Sequence, residues 1–367
     1  MITVGNVCAY LDSFAPPALA ADWDNVGLLL GDPACAVRQV MTCLTVTDAV
    51  VAEALAEGVG LIVAHHPILF RGAKKLSIDS PDGRLVWPLA RAGVAVYSPH
   101  TSFDNCVGGI NDCLAAMFGL LEVKPLRPQG ERRFKVAIFT PDADLAKVSE
   151  AVFAAGAGII GQYSHCSYRS AGTGTFFGST DANPTIGKTG RLEEVSEWRL
   201  EVVCPAAGLD RVIAAIRQAH SYEEPAFDVY PLHDRPGSAG EGRLGRLPVP
   251  IRLSELASTA KKMLNAGGMQ IVGDSAALVA NVAIACGAAG EFLGDARRAG
   301  ADVFLTGEMR FHDYLTAQSQ RLALLLPGHY ASERPAVEML ADRLSQQFPT
   351  VPCWCSRREA DPVVWLC

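Results

Sequence analysis

The same order of features occurs twice in this sequence, once in each half of the chain. Gly58–His66 has the pattern of a buried strand that ends in two histidines, and Ala299–Glu308 that of a strand that ends in Thr-Gly-Glu. In both halves a second apolar strand follows, and after it a histidine that precedes a carboxylate by four residues. These pairs are His100 with Asp104 and His329 with Glu333. A duplicated α/β unit with a site between its halves is the simplest interpretation.

Strands and helices alternate in both halves. In the first half, Val40–Val46 and Gly60–Ala64 have the composition of strands and Asp48–Glu57 that of a helix. The second half ends in a helix predicted from about Pro335, in its first turn, to Phe348 and a strand near Val363–Leu366. Such alternation is typical of a mostly parallel sheet that is covered by helices on both faces.

The middle of the chain has a different pattern. Between Phe134 and Leu232 the predicted elements follow the order βαββαβ, which is typical of a ferredoxin-like unit. We therefore predict an α/β fold in which residues 1–130 and 236–367 are two similar halves of one domain, with residues 131–235 as an inserted ferredoxin-like α+β domain. The segments Lys124–Arg133, rich in proline and charge, and Arg235–Gly245, rich in glycine, are predicted to be the linkers.

The composition argues against several classes of function. A net charge of −7 is unfavourable for a general nucleic-acid binder, which needs a basic surface. The sequence lacks a basic segment followed by an apolar run at its start, and no apolar segment approaches the roughly 20 residues that span a bilayer. Its eleven cysteines contain no CxxC pair, so buried thiols are favoured over disulfides or a thiolate metal site at Cys353 and Cys355. We predict a cytoplasmic protein that binds neither membrane nor nucleic acid.

The segment His65-His66-Pro67 is the first candidate site. Burying two imidazoles at the end of an apolar strand is costly unless they have partners. In a parallel sheet the carboxyl end of a strand faces the crevice in which α/β proteins bind ligands, and the break at Pro67 allows both rings to point the same way. Taken alone, the segment fits a metal site and a hydrogen-bonded polar pair equally well.

The two pairs of histidine and carboxylate favour the metal site. Residues four apart on a helix share a face, so a histidine and a carboxylate can reach one ion. Three or four histidines with two carboxylates suit zinc, manganese, iron or nickel, and they are too many ligands for one catalytic ion with an open position. Two bridged ions suit them better. Such a pair activates water and polarises a carbonyl, phosphoryl or imine-like carbon, so hydrolysis is the predicted class of reaction.

Other polar residues are weaker candidates. Glu308 and His312 are predicted either to act as general acid or base or to orient the metal ligands, and Arg310 to neutralise a substrate phosphate. Asn25, in the segment Trp-Asp-Asn-Val-Gly, either lines the cleft or belongs to a structural turn. The backbone amides of Gly287–Gly290 are a candidate cradle for an anion.

Five motifs occur in an order that is known from one protein family. They are Trp23-Asp-Asn-Val-Gly, Ala64-His-His-Pro, His100-Thr-x-x-Asp104, Thr306-Gly-Glu and Gly328-His-Tyr-x-x-Glu333. Over essentially its whole length the chain resembles the dinuclear-metal-centre proteins described as GTP cyclohydrolase type-two-like, in the long bacterial form that carries a PII/CutA-like insert. It departs from the family pattern at Thr45, where an aspartate is expected.

The resemblance implies a homohexameric ring and two divalent metal ions per chain. The implied ligands are His65, His66, Asp104, His329 and Glu333, with Glu333 bridging the ions; His100 is expected near the site but not among the ligands. The implied reaction is ring-opening hydrolysis of GTP or a related nucleotide, in which a histidine such as His312 moves protons. The alternatives are hydrolysis of a phosphoester or amide in a damaged metabolite, and a metal-sensing or metal-delivery assembly without turnover.

Overall fold

A computed structural model of the protein describes residues 1–73 and 75–366, apart from the side chains of residues 131 and 235. The chain divides into two compact units, Met1–Gln129 together with Ser238–Cys367, and Gly130–Gly237. Among the described residues, no helix combines the length and the apolar character that crossing a bilayer requires.

Helices and strands alternate along most of the chain. The helices are α1 (Val4–Phe14), α2 (Asp48–Glu57), α3 (Pro81–Ala92), α4 (His100–Asn105), α5 (Ile110–Met117), α6 (Asp142–Ala154), α7 (Leu209–Ala219), α8 (Leu253–Met263), α9 (Leu293–Arg298), α10 (Phe311–Ser319) and α11 (His329–Gln347). The strands are β1 (Gly27–Leu30), β2 (Val40–Cys43), β3 (Leu61–Ala64), β4 (Ala95–Ser98), β5 (Leu121–Glu131), β6 (Arg133–Pro141), β7 (Ser167–Phe177), β8 (Leu192–Pro205), β9 (Phe227–Pro231), β10 (Arg235–Arg252), β11 (Gln270–Val272), β12 (Leu278–Ile284), β13 (Val303–Leu305), β14 (Ala323–Leu326) and β15 (Cys353–Cys355).

Two sheets of the first unit repeat one arrangement. Their strand orders are β1-β4-β3-β2-β15 and β11-β14-β13-β12-β10-β5. In the first sheet β2, β3 and β4 are parallel neighbours and β1 is antiparallel to β4. In the second sheet β12, β13 and β14 are parallel neighbours and β11 is antiparallel to β14. The prediction of two similar α/β halves is therefore confirmed.

The first sheet shows why these residues form buried parallel strands. All four residues of β3 are buried, and such a continuous apolar run is typical of a parallel strand covered on both faces. Ile62 packs on one face with residues of α2 and α3, whereas Leu61 and Val63 belong to a larger core shared with α1, α5, α8 and α11. Helix α2 is capped at its start by Thr47, whose hydroxyl accepts a hydrogen bond from the Val50 amide, and at its end by Gly58.

The second unit has the predicted element order, β6-α6-β7-β8-α7-β9. Its four strands form an antiparallel sheet in the order β7-β8-β6-β9. Val148 and Val152 of α6 and Val212 and Ile216 of α7 are buried in one core with residues of β6 and β8. The predicted ferredoxin-like α+β fold of this region is confirmed.

Both predicted linkers contain a boundary between the two units, after Gln129 and after Gly237, but they are strands and not irregular segments. Lys124–Arg133 lies mostly in β5, and Arg235–Gly245 lies in β10, the neighbour of β5 in the sheet. Proline lacks a backbone N–H group. Because β5 is the edge strand, its prolines do not interrupt hydrogen bonds between central strands of the sheet. Gly240 in β10 lets the backbones of β10 and β5 approach each other closely. A Cβ on Gly240 would lie 2.3 Å from the carbonyl oxygen of Arg127.

Two predictions near the C-terminus are also wrong. In the described structure Val363–Leu366 forms no strand, and Val364 and Leu366 are exposed. The last strand is instead β15, which extends the first sheet parallel to β2 and is too short to show a periodic pattern. Helix α11 begins at His329, so Pro335 lies inside the helix and not in its first turn.

Candidate metal centre

The predicted metal ligands follow strands of both sheets in the first unit. His65 and His66 follow β3, and Asp104 lies on α4, directly after β4. His329 and Glu333 lie in the first two turns of α11, which begins after β14. Because the carboxyl ends of parallel strands lie at one edge of a sheet, ligand-binding residues of α/β proteins gather there. The structure brings all five side chains together.

Glu333 lies at the centre of this cluster and is 3% exposed. Its Oε2 is 3.1 Å from Nε2 of His66 and 3.2 Å from Nε2 of His329. Its Oε1 faces the other side, 3.9 Å from Nε2 of His65, and that nitrogen lies 3.7 Å from Oδ1 of Asp104. Each oxygen of Glu333 therefore faces a separate set of donors.

The environment of His65 fits a metal ion. The residue is 1% exposed, and in the described part of the chain neither of its ring nitrogens has a hydrogen-bond partner. An unpartnered polar atom at such a depth is costly. Burial lowers the pKa of His65 well below its usual value, so the ring is in the neutral form that binds metals. The spacings of 3.7 and 3.9 Å from Nε2 to the Asp104 and Glu333 carboxylate oxygens are too long for hydrogen bonds and suit ligands of one ion.

His66 and His329 are oriented by hydrogen bonds at their other ring nitrogen. Nδ1 of His66 lies 2.7 Å from the hydroxyl of Thr45, and Nδ1 of His329 lies 3.0 Å from Oε1 of Glu308. Such partners hold a ligand ring in position and leave Nε2 for the metal. Thr45, where the family pattern has aspartate, thus still contacts His66. Of the two roles predicted for Glu308, this geometry supports the orientation of a ligand.

The two carboxyl groups of the cluster have opposite pKa shifts. Burial, and then the charge of Glu333, raise the pKa of Asp104, whose Oδ1 accepts a hydrogen bond from the Cys286 thiol at 3.3 Å. Burial would also raise the pKa of Glu333, but hydrogen bonds from His329 and His66 lower it. Of the two carboxyl groups, Asp104 therefore takes up a proton more readily than Glu333.

His100 is fixed beside the cluster by Asp24, a residue that the sequence analysis did not single out. Nδ1 of His100 lies 2.7 Å from Oδ1 of Asp24, and the other Asp24 oxygen accepts hydrogen bonds from the amide and hydroxyl of Thr101. Burial would raise the pKa of Asp24, but these hydrogen bonds lower it to about 2. Burial would lower the pKa of His100, but the hydrogen bond with Asp24 raises it. The ring centroid of His100 is 5.2 Å from that of His65.

Two residues predicted from motifs have other surroundings. His312 is exposed on α10, and its ring packs edge to face with Phe311 at a centroid distance of 6.0 Å. Asn25 donates a hydrogen bond of 2.6 Å from Nδ2 to the carbonyl oxygen of Leu69, which supports its role in a structural turn. Neither side chain is among those that line the cavity at the cluster.

The segment Gly287–Gly290, the predicted anion cradle, makes room for the central carboxylate. Its Gly287 and Ala289 amides already donate to the hydroxyls of Ser332 and Thr306. Gly287 has a φ of +65°, and a Cβ there would lie 2.4 Å from Oε1 of Glu333. The missing side chain therefore leaves the space that the central carboxylate occupies.

Replacing Gly287 with alanine is expected to displace Glu333 and to weaken metal binding by at least about tenfold, a typical cost of disturbing the residues around a ligand. Gly93→Ala is the matched control, because Gly93 has a φ of +70° and nothing within 4 Å of its Cβ position. Both variants carry the same backbone strain of about 1–2 kcal/mol. Titration with zinc, followed by calorimetry, should separate them; equal affinities would contradict the steric role of Gly287.

A paired α/β core that gathers histidines and carboxylates at the ends of its strands defines the class, an α/β protein with a candidate metal centre. The family model of Duf34/NIF3 (NGG1p interacting factor 3) matches residues 2–362. The chain belongs to this family, and the resemblance seen in the sequence is confirmed.

Several relatives support this assignment. A Bacillus subtilis protein named GTP cyclohydrolase 1 type 2 homolog is 39% identical over 329 residues, covering 89% of this chain and 88% of its own. A Mycobacterium tuberculosis protein of the same name is 38% identical over 361 residues, covering 96% and 95%. The crystal structure of a Bacillus cereus protein related to NIF3 superposes with a TM-score of 0.88 at 34% identity, over 100% of both chains.

Proposed function

We propose that this chain is a dinuclear metal-dependent hydrolase that acts on a nucleotide such as GTP. The observation that carries the proposal is the position of Glu333, whose two oxygens face different donor sets. His65 and Asp104 would hold one ion with Oε1, and His66 and His329 would hold the second with Oε2. Zinc, manganese, iron and nickel suit this set of ligands. The relatives named GTP cyclohydrolase 1 type 2 homolog make GTP the first substrate to test.

The cluster opens into a cavity that can take a small molecule. The cavity has a volume of about 440 Å³, and its lining includes His66, His100, Asp104, His329 and Glu333. Ligand sites usually have volumes of roughly 300–1,000 Å³. When bound, two divalent ions activate a water molecule and polarise the group that is attacked.

The chain's own residues supply position and proton transfer in this proposal. Thr45 and Glu308 hold His66 and His329 in orientation. His100 accepts or donates a proton at Nε2, because its Nδ1 is engaged by Asp24. The raised pKa of His100 favours the protonated ring, which suits a general acid.

Replacing His100 with alanine is expected to lower turnover by about 10²–10⁴-fold, the usual contribution of a positioned acid or base. Metal content should stay unchanged, because His100 is not among the five proposed ligands. His312→Ala tests the proton-transfer role that the sequence suggested for that residue, and its exposed position predicts a small effect. Steady-state rates with GTP would decide between them; a large loss in His312→Ala and none in His100→Ala would reverse the assignment.

Metal binding is expected to release protons. A hydrogen bond with Glu333, and then one with Glu308, raise the pKa of His329 to about 9, so the metal-free ring is protonated at pH 7. Asp104 also has a raised pKa. Because ligands bind metals in their deprotonated forms, loading at pH 7 should release roughly one to two protons per chain. Metal affinity should therefore fall as the pH drops below 9 and level off above it. Calorimetry in two buffers of different ionisation enthalpy measures this number, and a value of zero would contradict the assignment of His329 as a ligand.

The proposed activity is tested with protein loaded with two equivalents of metal. We expect ring-opened product and formate from GTP, detected by mass spectrometry, and no product from Glu333→Gln protein that retains its circular dichroism spectrum. A wild-type protein that holds two ions but hydrolyses neither GTP nor phosphoesters or amides would overturn the hydrolase proposal in favour of a metal-binding assembly. Analytical ultracentrifugation of the same samples tests the homohexamer that the family resemblance implies.

A further inference from the structure

Two exposed aromatic side chains line the cavity at the metal centre. Trp23 is 61% exposed and Phe70 is 46% exposed, and both belong to the cavity wall together with His66 and His100. Their ring centroids are 5.8 Å apart and the planes are tilted by 56°. The ring of His100 lies 6.0 Å from Trp23 and 6.1 Å from Phe70, close to edge-on to both. We call Trp23 and Phe70 the aromatic corner.

Hydrogen bonds of neighbouring residues hold the corner in place. Asp24, next to Trp23, is fully buried at its side chain and is bound to His100. Asn25 donates to the carbonyl oxygen of Leu69, the residue before Phe70, and so ties the two segments together. The motif that carries Trp23 therefore presents two large apolar rings to solvent from an anchored backbone. Single exposed apolar residues are common, but an anchored pair on the wall of a candidate active site is not explained by packing.

The geometry of the aromatic corner suits a ligand with one flat ring rather than an extended, flexible ligand. A separation of 5.8 Å leaves no space for a ring between Trp23 and Phe70, so a ligand would stack on one face and meet the other ring by its edge. A ring in that position lies beside His100 and hence beside the metal ligand His65, whose ring centroid is 5.2 Å from that of His100. Charged sugars or peptides without an aromatic group would leave both faces exposed to water.

We propose that the aromatic corner binds the base of the substrate by stacking, and that the substrate class of this site is compounds with a flat aromatic heterocycle that contains the hydrolysed bond or lies next to it. This inference rests on the proposed function and specifies it. The corner determines which substrates bind, whereas the metal centre carries out the reaction. Stacking on an aromatic side chain tolerates different bases, so purine nucleotides should bind with similar affinity.

The experiment compares GTP with inorganic tripolyphosphate, which has the same chain of phosphates but no base. Binding to the metal-loaded full-length chain is measured by calorimetry for wild type, Trp23→Leu, Phe70→Leu and Trp23→Tyr. Trp87→Leu is the control, because Trp87 is also exposed and lies on α3, outside the cavity wall. We expect Trp23→Leu and Phe70→Leu to weaken GTP binding by about tenfold or more each, as loss of a stacking partner does. Trp23→Tyr, which keeps a stacking face, should retain most of the affinity, and tripolyphosphate binding, metal content and the control should not change.

Equal effects on GTP and tripolyphosphate, or none on either, would overturn the aromatic corner as a base site. A sedimentation coefficient of Trp23→Leu or Phe70→Leu that differs from wild type, with unchanged GTP affinity, would also overturn it. The two rings would then belong to an interface between chains. Turnover is recorded separately. If wild type binds GTP through the aromatic corner but shows no turnover, the hydrolase proposal is refuted and the aromatic corner is not. If Trp23→Leu turns over GTP at the wild-type rate with an unchanged KM, only the aromatic corner is refuted.

Discussion

A chain with Glu333→Ala is expected to lose both metal ions, whereas a chain with His329→Ala is expected to lose one. Glu333 places Oε2 within 3.1 and 3.2 Å of His66 and His329, and turns Oε1 toward His65, whose Nε2 also faces Asp104. Removing its side chain takes a ligand from each position. Removing His329 leaves the set of His65, Asp104 and Oε1 intact.

The size of the effect should be large. Loss of a partner that only orients a ligand costs about 10–100-fold in metal affinity, and loss of the ligand itself should cost more. Zinc titration of the metal-free variants, with circular dichroism as a check on folding, gives the number of sites and their affinities. If Glu333→Ala loses one equivalent only, Glu333 does not bridge. If it binds two ions as tightly as wild type, the cluster is not the metal site.

Replacing Arg243 with alanine is expected to destabilise the protein by up to about 3–5 kcal/mol, the cost of removing one partner of a buried ion pair, because the side chain of Asp112 that stays behind is 24% exposed. Arg243 is 1% exposed. Its guanidinium pairs with both carboxylate oxygens of Asp112 and donates to the carbonyl oxygens of Gly240, Gly242 and Cys106. Because Asp112 and Arg243 belong to the two different chain segments of the first unit, this pair joins them.

Thermal unfolding measures this effect, with an expected fall in Tm of roughly 10 °C for a unit of this size. Arg246→Ala is the control on the same strand. Arg246 is exposed and pairs with Glu122 at 3.5 Å, so its loss should change stability by about 0.5 kcal/mol or less. Equal midpoints for the two variants would show that the buried pair contributes no more than a surface pair.

The sequence predicts the residues of the candidate metal centre because they belong to short motifs next to recognisable strands. His65 and His66 end a strand whose four residues are all apolar, and His329 and Glu333 are close enough in sequence to share a helix face. The repeat of this pattern in two halves predicted that the motifs would meet. The strand and helix pattern was equally informative, since α2 spans the residues predicted for it.

Apart from Glu308, the residues that support the candidate ligands were not predicted, because their contacts are formed only in the folded chain. Glu359 accepts hydrogen bonds from the amides of Leu44 and Thr45 and so fixes the turn that carries the partner of His66. No local pattern connects it with residues more than 300 positions earlier. Asp24 lies in the Trp23-Asp-Asn-Val-Gly motif, but no role was predicted for its carboxylate.

The errors in the fold have similar causes. The composition of β5 and β10 indicated linkers, yet pairing between strands outweighs the local preferences of proline and glycine when the strand lies at an edge or approaches another backbone closely. Helix α1 was missed although Val4, Val7 and Leu11 are buried on one face and Thr3 forms a capping box with Asn6.

The side chains around Glu333 are proposed to bind two metal ions per chain. The most direct test is the metal content of protein purified without added metal and then loaded, measured by mass spectrometry for wild type, His65→Ala and Glu333→Ala. We expect about two equivalents in wild type and a sharp fall in both variants. Wild-type protein that takes up neither zinc, manganese, iron nor nickel would contradict it, and the histidines would then have to be explained by structure alone.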